Sequence, residues 1–278
     1  MNLDVFDRLD WKPDRMLIDD LVFRLEHYRS DDWDGGDDYF RFFKTKELVE
    51  LYRVFFSHYN NFQPHNIFEI GTFDGGSTVF WNEVLHPRKH ISIDIMQRED
   101  SPYFRRYISS KGLGDRIKTY WGIDQADKDR LLSIISSEYD GNLDLVIDDA
   151  SHLYGQTRAS FEVLFPQIRP GGLYIIEDWA WGHWGGEYLS PDHPWAAEIP
   201  LTKLVVEMVE VAGTSTGAVS NVIVNSGFVV VERGWIQFEK PANLDLESLI
   251  LRRPDDQKPV ASGSKLIKRM RQFFSTGR

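Results

Sequence analysis

The clearest structural signal in this chain is the stretch Ile67-Phe68-Glu69-Ile70-Gly71-Thr72-Phe73-Asp74-Gly75-Gly76-Ser77. Its apolar start predicts a short buried strand, and the glycines that follow predict a tight turn into a helix. Glycines at such a turn let the backbone approach a ligand closely, and open α/β sheets bind ligands at this carboxyl end of a strand. The spacing Gly-x-x-x-Gly-Gly differs from the Gly-x-Gly-x-x-Gly of dinucleotide-binding proteins.

Apolar runs and helical stretches alternate along the chain from this point. The predicted strands are Ile67–Ile70, Ile91–Ile95, Ile117–Trp121, Leu143–Ile147 and Leu173–Ile176, and the predicted helices are Ser77–Leu85, Tyr103–Ser110, Lys128–Ile135, Gln156–Phe165 and Pro194–Val211. This alternation indicates a parallel sheet covered on both faces. Val222–Val224 and Phe228–Val231, joined by Asn225-Ser226-Gly227, predict a terminal β-hairpin. We therefore expect an α/β, Rossmann-like fold with a seven-stranded, mostly parallel sheet that ends in an antiparallel hairpin.

Two segments flank this domain, which we place at residues 61–240. Residues 1–60 are predicted to be a helical extension, because the apolar residues of Leu17–Leu25 and Leu48–Phe55 fall at helical spacing. Residues 241–278 form a tail, in which Lys265–Phe274 could fold as a short amphipathic helix against a partner subunit or an anionic surface, or against its own domain. The extension and the tail are candidate contacts of a homo-oligomer.

Composition narrows the classes of function. The chain of 278 residues carries a net charge of −11, which disfavours a general nucleic-acid binder because phosphate contacts need Lys and Arg. It has no cysteine, which removes disulfides, thiolate metal sites and a cysteine nucleophile. The first residues do not resemble a secretory signal, and no apolar run is long enough to span a membrane. We therefore expect a cytoplasmic protein.

The glycine turn and the ends of the next two strands predict a cofactor site. An acidic residue two positions before the first glycine suits S-adenosylmethionine, whose ammonium and sulfonium groups favour a carboxylate, and Asp94 at the end of the second strand is placed for a ribose diol. Gly122-Ile123-Asp124-Gln125 would contact the adenine. The predicted cofactor residues are Glu69, Gly71, Thr72, Phe73, Gly75, Ser77, Asp94, Asp124 and Gln125. A glycine turn with no ligand is the alternative.

Paired acids end both of the following strands. Asp148-Asp149 follows the fourth strand and Glu177-Asp178 the fifth, and neighbouring strands lie about 4.8 Å apart, so these carboxylates should converge. Clustered carboxylates repel unless a cation intervenes, and Mg²⁺ is the commonest hard cation with oxygen ligands. A hydroxyl bound to such a cation has a lowered pKa. His152, three residues beyond Asp149, could then remove its proton as a general base.

Ile147-Asp148-Asp149-Ala150-Ser151-His152 and Ile176-Glu177-Asp178 resemble the metal-dependent sugar O-methyltransferases of natural-product biosynthesis. These include the macrolide and rhamnosyl enzymes and the cephalosporin hydroxylase-like proteins, and the resemblance covers roughly residues 40–235. It implies that Asp149, Glu177 and Asp178 hold Mg²⁺ or another divalent cation. It also implies that His152 is the base, with Asp149 beside it, and that Asp148 lies toward the cofactor. Phe73 departs from the pattern, since many methyltransferases have Gly there.

The loop after the fifth strand is rich in aromatic residues. Trp179, Trp181, His183 and Trp184 are predicted to line the acceptor pocket, because aromatic faces suit sugars and fused rings. Simple packing under a long loop is the alternative. The function predicted is S-adenosylmethionine- and Mg²⁺-dependent O-methylation of a sugar hydroxyl on a glycosylated small molecule. A catechol-type O-methyltransferase and a non-catalytic S-adenosylmethionine-binding module remain open.

Overall fold

The computed structural model describes residues 4–25, 38–59, 61–215, 217–238 and 244–251. The elements before the central domain are α1 (Asp4–Asp7), β1 (Leu9–Trp11), β2 (Arg15–Ile18), β3 (Leu21–Leu25), β4 (Phe40–Phe42) and α2 (Lys46–His58). Strands β1 to β4 form a small sheet in that order, with β3 and β4 parallel and the other pairs antiparallel.

The prediction of a helix across Leu17–Leu25 is wrong. These residues belong to β2 and β3, where the buried side chains alternate as Met16 and Ile18, then Leu21 and Phe23. Such alternation is the period of a strand with one buried face, and apolar residues in two short adjacent strands also meet a helical spacing by chance. The helix expected across Leu48–Phe55 is confirmed as α2.

The central domain alternates strand and helix as expected. Its elements are β5 (Asn66–Ile70), α3 (Gly76–Leu85), β6 (Lys89–Asp94), α4 (Pro102–Ser110), β7 (Ile117–Trp121), α5 (Lys128–Glu138), β8 (Leu143–Asp148), α6 (Tyr154–Leu164), β9 (Ile168–Glu177), α7 (Thr202–Thr214), β10 (Val219–Val224) and β11 (Phe228–Arg233). The strand order is β10-β11-β9-β8-β5-β6-β7. Strand β11 runs antiparallel to both β9 and β10, and the other neighbours are parallel. The predicted fold class is confirmed, although α7 begins at Thr202 rather than at Pro194.

The two faces of the central sheet carry separate hydrophobic cores. Ile147 and Ile175 face a core shared with α2, α3 and the small sheet, including Phe42. Val146 and Ile176 face the core under α5, α6 and α7. Because side chains alternate between the faces of a strand, each acid after β8 and β9 continues one of these two rows.

The limits placed at residues 60 and 240 stay predictions. The N-terminal elements pack into the same core as the central sheet. The helix expected at Lys265–Phe274 lies outside the part of the chain that the structure describes. Within that part, the helices are too short or too polar to cross a bilayer.

Candidate active site

The glycine turn after β5 brings three strand ends together. Gly71 has φ of +98°, and its N–H donates to Ile93 O at 2.9 Å. The N–H of Asp149 donates to Ile70 O at 2.9 Å, so β8 closes against the same turn. A Cβ on Gly71 would lie 2.1 Å from Asp149 O. Only glycine fits this backbone conformation and this contact, which places Asp149 beside the predicted cofactor turn.

The side chain of Glu69 stabilises the glycine turn. It is fully buried and accepts hydrogen bonds from Ser77 Oγ at 2.5 Å and Thr78 Oγ1 at 2.6 Å, and His90 Nε2 lies 3.0 Å away. The carboxylate thus ties the strand to the first turn of α3. Its predicted contact with a cofactor stays a prediction.

The predicted ribose-binding carboxylate orders the same loop. Asp94 accepts the Phe73 N–H at 2.7 Å and the Met96 N–H at 2.9 Å. Phe73 has φ of +49°, a conformation that a side chain adopts only when its surroundings hold it there. The neighbouring Thr72 is 1% exposed, and its hydroxyl lacks a hydrogen-bond partner among the described residues. A buried hydroxyl without a partner in this turn fits a bound polar ligand.

Asp148 lies on the opposite face of the sheet from Asp149. It is buried and accepts hydrogen bonds from Ser160 Oγ and Tyr174 OH, both at 2.8 Å. Burial raises the pKa of Asp148 to about 6, against the lowering effect of these two hydroxyls. Gln125 Nε2 lies 3.4 Å from the same carboxylate. Asp148 thus belongs to a hydrogen-bond network within the chain, and its implied position toward the cofactor stays a prediction.

The loop predicted to contact the adenine is internally fixed. Gln125 is buried, and its Oε1 accepts the Ser151 N–H at 3.1 Å, which connects this loop to the segment that carries His152. Asp124 is exposed and accepts the Ala126 N–H at 2.8 Å, which closes a turn. Contact between either residue and an adenine stays a prediction.

A buried lysine lies between the two acid pairs. Lys44, in the link between β4 and α2, is 3% exposed. Its Nζ donates to Asp149 Oδ2 at 2.7 Å and lies 2.7 Å from both oxygens of Glu177. Burial lowers the pKa of Lys44, but Asp149 and Glu177 raise it by more, so the ammonium stays charged. Tyr52 on α2 donates to Glu177 Oε1 at 2.8 Å.

A second cluster of possible metal-ligating side chains lies on the other side of Asp149. Ligand atoms of Asp149, His152 and Asp178 all lie within 4.8 Å of one another. His152 Nε2 is 3.8 Å from Asp149 Oδ1 and 3.9 Å from Asp178 Oδ2. These distances are too long for direct hydrogen bonds and leave space for an atom between the groups. His152 and Asp178 have φ of +55° and +52°, so both side chains are held by strained backbone.

The donor chemistry fits a divalent cation at this second point. Two carboxylates and an imidazole converge there, and all three are partly exposed. Glu177 does not belong to this group: it is 1% exposed, and Lys44 and Tyr52 occupy its oxygens. The residues present therefore fit an ion held from the side of Asp149 and Asp178, and a contact between Glu177 and such an ion stays a prediction.

Part of the chain is similar to known proteins. Residues 68–179 match the family model described as a methyltransferase domain. This match spans the glycine turn and both acid pairs, so the elements described above form the part of the chain that is similar to a methyltransferase domain.

Curated relatives confirm the resemblance seen in the sequence. Mycinamicin VI 2''-O-methyltransferase of Micromonospora griseorubida is 33% identical over 165 residues, which are 56% of this chain and 37% of that protein. Demethylmacrocin O-methyltransferase of Streptomyces fradiae is 35% identical over 136 residues, 49% of this chain and 31% of that protein. The chain thus spans about a third of the length of these relatives.

A solved methyltransferase structure is also similar to this chain. The MycE methyltransferase from the mycinamycin biosynthetic pathway, in complex with Mg, SAH and mycinamycin VI, superposes with a TM-score of 0.50 at 27% identity. The superposition covers 79% of this chain and 53% of that chain. It supports the predicted Rossmann-like fold of the methyltransferase domain.

The aromatic loop of the methyltransferase domain contains both packing and surface residues. Trp181 is 5% exposed, and its Nε1 donates to His152 O at 2.8 Å. Trp179 Nε1 donates to Asn225 O at 2.8 Å, so this ring anchors the loop to the hairpin. His183 is exposed and contacts Thr202 Oγ1 at 2.7 Å, and Trp184 is half-buried against Tyr188. Their predicted contact with an acceptor stays untested.

Sequence reasoning missed three residues of this site. Lys44 and Tyr52 come from outside the alternating strands and helices, so no local pattern connects them with the acids. Trp195 lies in the irregular segment before α7, where its ring centroid is 5.9 Å from that of His152 and 5.2 Å from that of Trp181. The helix predicted from Pro194 includes Trp195 as an ordinary helical residue, so the sequence gives no signal for its place in the site.

Proposed function

We propose that this protein is an S-adenosylmethionine-dependent O-methyltransferase that uses a divalent cation to methylate a sugar hydroxyl on a natural product. The observation that carries the proposal is the convergence of Asp149, His152 and Asp178 beside the Gly71 turn. The names of the relatives favour a glycosylated acceptor. The Mg and SAH in the MycE complex favour the same pair of cofactors.

In this proposal, different residues of the chain bind the cofactor and the cation. S-adenosylmethionine supplies an electrophilic methyl group, and a divalent cation supplies a lowered pKa to a hydroxyl that it binds. Asp149 and Asp178 would hold the cation from one side. Thr72 would offer its buried hydroxyl to the cofactor, and Asp94 keeps this loop in place by accepting the Phe73 N–H.

His152 is the proposed base. Its Nε2 faces the space between Asp149 and Asp178, where an acceptor hydroxyl bound at that point would come within reach of the imidazole. The Trp181 indole N–H fixes the backbone carbonyl of His152 and limits the movement of the ring. Because the same position also suits an imidazole that binds the cation directly, the two roles need to be separated by experiment.

The first experiment measures binding and turnover separately. Calorimetry with S-adenosylmethionine should show binding, and its absence would refute the proposal. Transfer of a labelled methyl group is then assayed on a panel of glycosides with free vicinal hydroxyls and a panel of catechols, each with MgCl₂ or with EDTA. Methylation of a glycoside that EDTA stops and MgCl₂ restores is the expected result. Methylation of catechols alone would favour the catechol-type alternative, and full activity in EDTA would refute the metal dependence.

The cellular setting of the enzyme is part of the proposal. A small glycosylated acceptor remains its expected partner. Action in the cytoplasm and assembly as a homo-oligomer stay predictions, and sedimentation of the purified chain would test the second.

A further inference from the structure

The buried ammonium of Lys44 is the one cation that the described residues place between Asp149 and Glu177. It comes from the link that joins the small N-terminal sheet to α2, outside the residues 68–179 that match the methyltransferase family model. Thr45 caps α2 by accepting the Leu48 N–H at 3.2 Å, which fixes the direction in which the chain leaves Lys44. The fold thus inserts a lysine from a separate segment into the acid cluster.

The position of the charge explains why it is there. Asp149 and Glu177 continue the rows of Ile147 and Ile175, so both project toward the face covered by α2. Two neighbouring carboxylates on one face repel each other, and the buried charge of Glu177 would be strongly unfavourable without a partner. Lys44 Nζ lies 2.7 Å from oxygens of both groups. The ammonium therefore neutralises the part of the cluster that lies farthest from solvent.

The same contacts divide the cluster into two parts. Both oxygens of Glu177 face Lys44, and Tyr52 adds a third hydrogen bond. Asp149 uses Oδ2 for Lys44, while its Oδ1 faces His152. Only one oxygen of Asp149 and the carboxylate of Asp178 thus remain directed at the open side.

We propose that Lys44 is a positioning residue that holds Glu177 out of the divalent-cation site and sets the affinity of that site. In this arrangement Lys44 takes the place of an ion on the Glu177 side, and the cation binds only on the side of Asp149 and Asp178. The proposal rests on the metal site of the proposed function.

The charge of Lys44 determines whether its removal should strengthen or weaken cation binding. A positive ammonium close to the cation site opposes a second cation, so its removal should tighten binding by about tenfold or more. Lys44→Met keeps the length of the side chain and removes the charge. Glu177 then becomes an uncompensated carboxylate beside the site, free to bind the incoming ion. A lysine with a merely structural role would give a weakened site, because its loss would only disorder the acids.

The test measures the affinity for MnCl₂ without S-adenosylmethionine, by calorimetry and by the electron paramagnetic resonance of free Mn²⁺. Lys44→Met should bind Mn²⁺ at least about tenfold more tightly than the wild type. Its melting temperature should be lower without metal and should rise more with MnCl₂ than that of the wild type. Lys46→Met, which removes an exposed lysine two residues away, is the matched control and should behave as the wild type.

Glu177→Gln provides the second measurement. The affinity for Mn²⁺ should fall by no more than about tenfold, because this variant loses a charge near the cation site but no ligand of the cation. The double variant Lys44→Met with Glu177→Gln removes both charges and should return the affinity to the wild-type range. Unchanged or weaker binding in Lys44→Met, or loss of binding in Glu177→Gln, would overturn the proposal. If Lys44→Met does not fold, the Glu177→Gln and double variants still decide it.

These outcomes are distinguishable from a failure of the proposed function. The affinities for Mn²⁺ are measured without cofactor or acceptor, so they remain readable if no methyl transfer is found. Conversely, methyl transfer that depends on MgCl₂ together with unchanged affinity in Lys44→Met would leave the function in place and remove the role of Lys44.

Discussion

Replacing Gly71 by alanine should damage both the fold and the site, because one contact serves both. The new Cβ would lie 2.1 Å from Asp149 O, so that carbonyl would have to retreat by about 1 Å to reach a tolerable separation. The retreat would break the bond from Asp149 N–H to Ile70 O. The side chain would also occupy a left-handed conformation, at φ of +98°.

The expected loss of stability in Gly71→Ala is the sum of the backbone strain and the broken hydrogen bond. The left-handed conformation costs roughly 1 kcal/mol for a residue with a Cβ. Loss of a buried backbone hydrogen bond costs about 1–3 kcal/mol. Gly71→Ala should therefore lower the free energy of unfolding by about 3 kcal/mol, or the melting temperature by about 6–12 °C. A shift of about 1 Å at a catalytic group reduces turnover by about a hundredfold, and Asp149 carries this shift directly.

Urea denaturation and the methyl-transfer assay measure the two effects. Gly213→Ala is the matched control, because Gly213 lies in α7 with nothing within 4 Å of the added Cβ. This change should raise the free energy of unfolding by about 0.5–1 kcal/mol. If Gly71→Ala stays within about 1 kcal/mol of the wild type and keeps most of its turnover, the contact with Asp149 does not set the position of that residue, and the reasoning fails.

Two further changes separate chemistry from stability. His152→Gln should reduce turnover by about 10²–10⁴-fold with unchanged affinity for S-adenosylmethionine and Mn²⁺, whereas loss of Mn²⁺ affinity in calorimetry would make His152 a ligand instead of the base. Burial alone would raise the pKa of Glu138, but hydrogen bonds from Lys89, Tyr120 and Lys118 lower it from 4.5 to about 2. This stabilisation is present above pH 4.5 and is lost as the pH falls toward 2. Glu138→Gln should therefore lower the free energy of unfolding by about 2 kcal/mol at pH 7 and by much less near pH 2. The figure of about 2 kcal/mol includes a reduction for solvent screening at the exposed Lys118. Urea titrations at several pH values measure the difference; a cost independent of pH would contradict it. The exposed Glu50→Gln serves as the control.

Much of the central domain could be predicted because each of its signals is local. The apolar runs of β5 to β9 are continuous, and the glycine turn after β5 changes the period from strand to helix within a few residues. The turn at Asn225-Ser226-Gly227 likewise indicates the antiparallel hairpin. The start predicted for α7 is too early because Pro194 is a permissible first residue of a helix, although the chain from there to Thr202 forms turns.

The small N-terminal sheet resembles a helix in the sequence because its own signal is not local. Strands β2 and β3 are four and five residues long, and a window that joins them contains apolar residues at both helical and alternate spacing. Strand β4, which pairs with β3, begins only at Phe40, so the pairing that stabilises β3 cannot be read from the segment itself. Burial against the core of α3, through contacts such as Phe42 with Phe80, then selects the strand.

The acids at the strand ends could be predicted as a cluster, but their division between the two faces needed the register of the strands. Asp148 ends β8 on the face of Val146, whereas Asp149 continues the face of Ile147, so two adjacent acids enter different surroundings. The resemblance to a family assigned Glu177 as a ligand without information on what covers it. In this chain the cover is α2, which brings Tyr52 to within 2.8 Å of that carboxylate.

The N-terminal segment is therefore part of the candidate active site and not only a support for the fold. The methyltransferase domain by itself places Asp149, Glu177 and Asp178 at one edge of the sheet, and electrostatic repulsion would favour a cation among all three. The segment before it supplies Lys44 at the innermost position, and the cation site is thereby moved outward to the side of His152. Two chains with the same acids and the same histidine would then differ in their affinity for a divalent cation if only one of them carried this lysine. The identity of the acids alone does not determine the metal site; the residue that neutralises the innermost acid is also required.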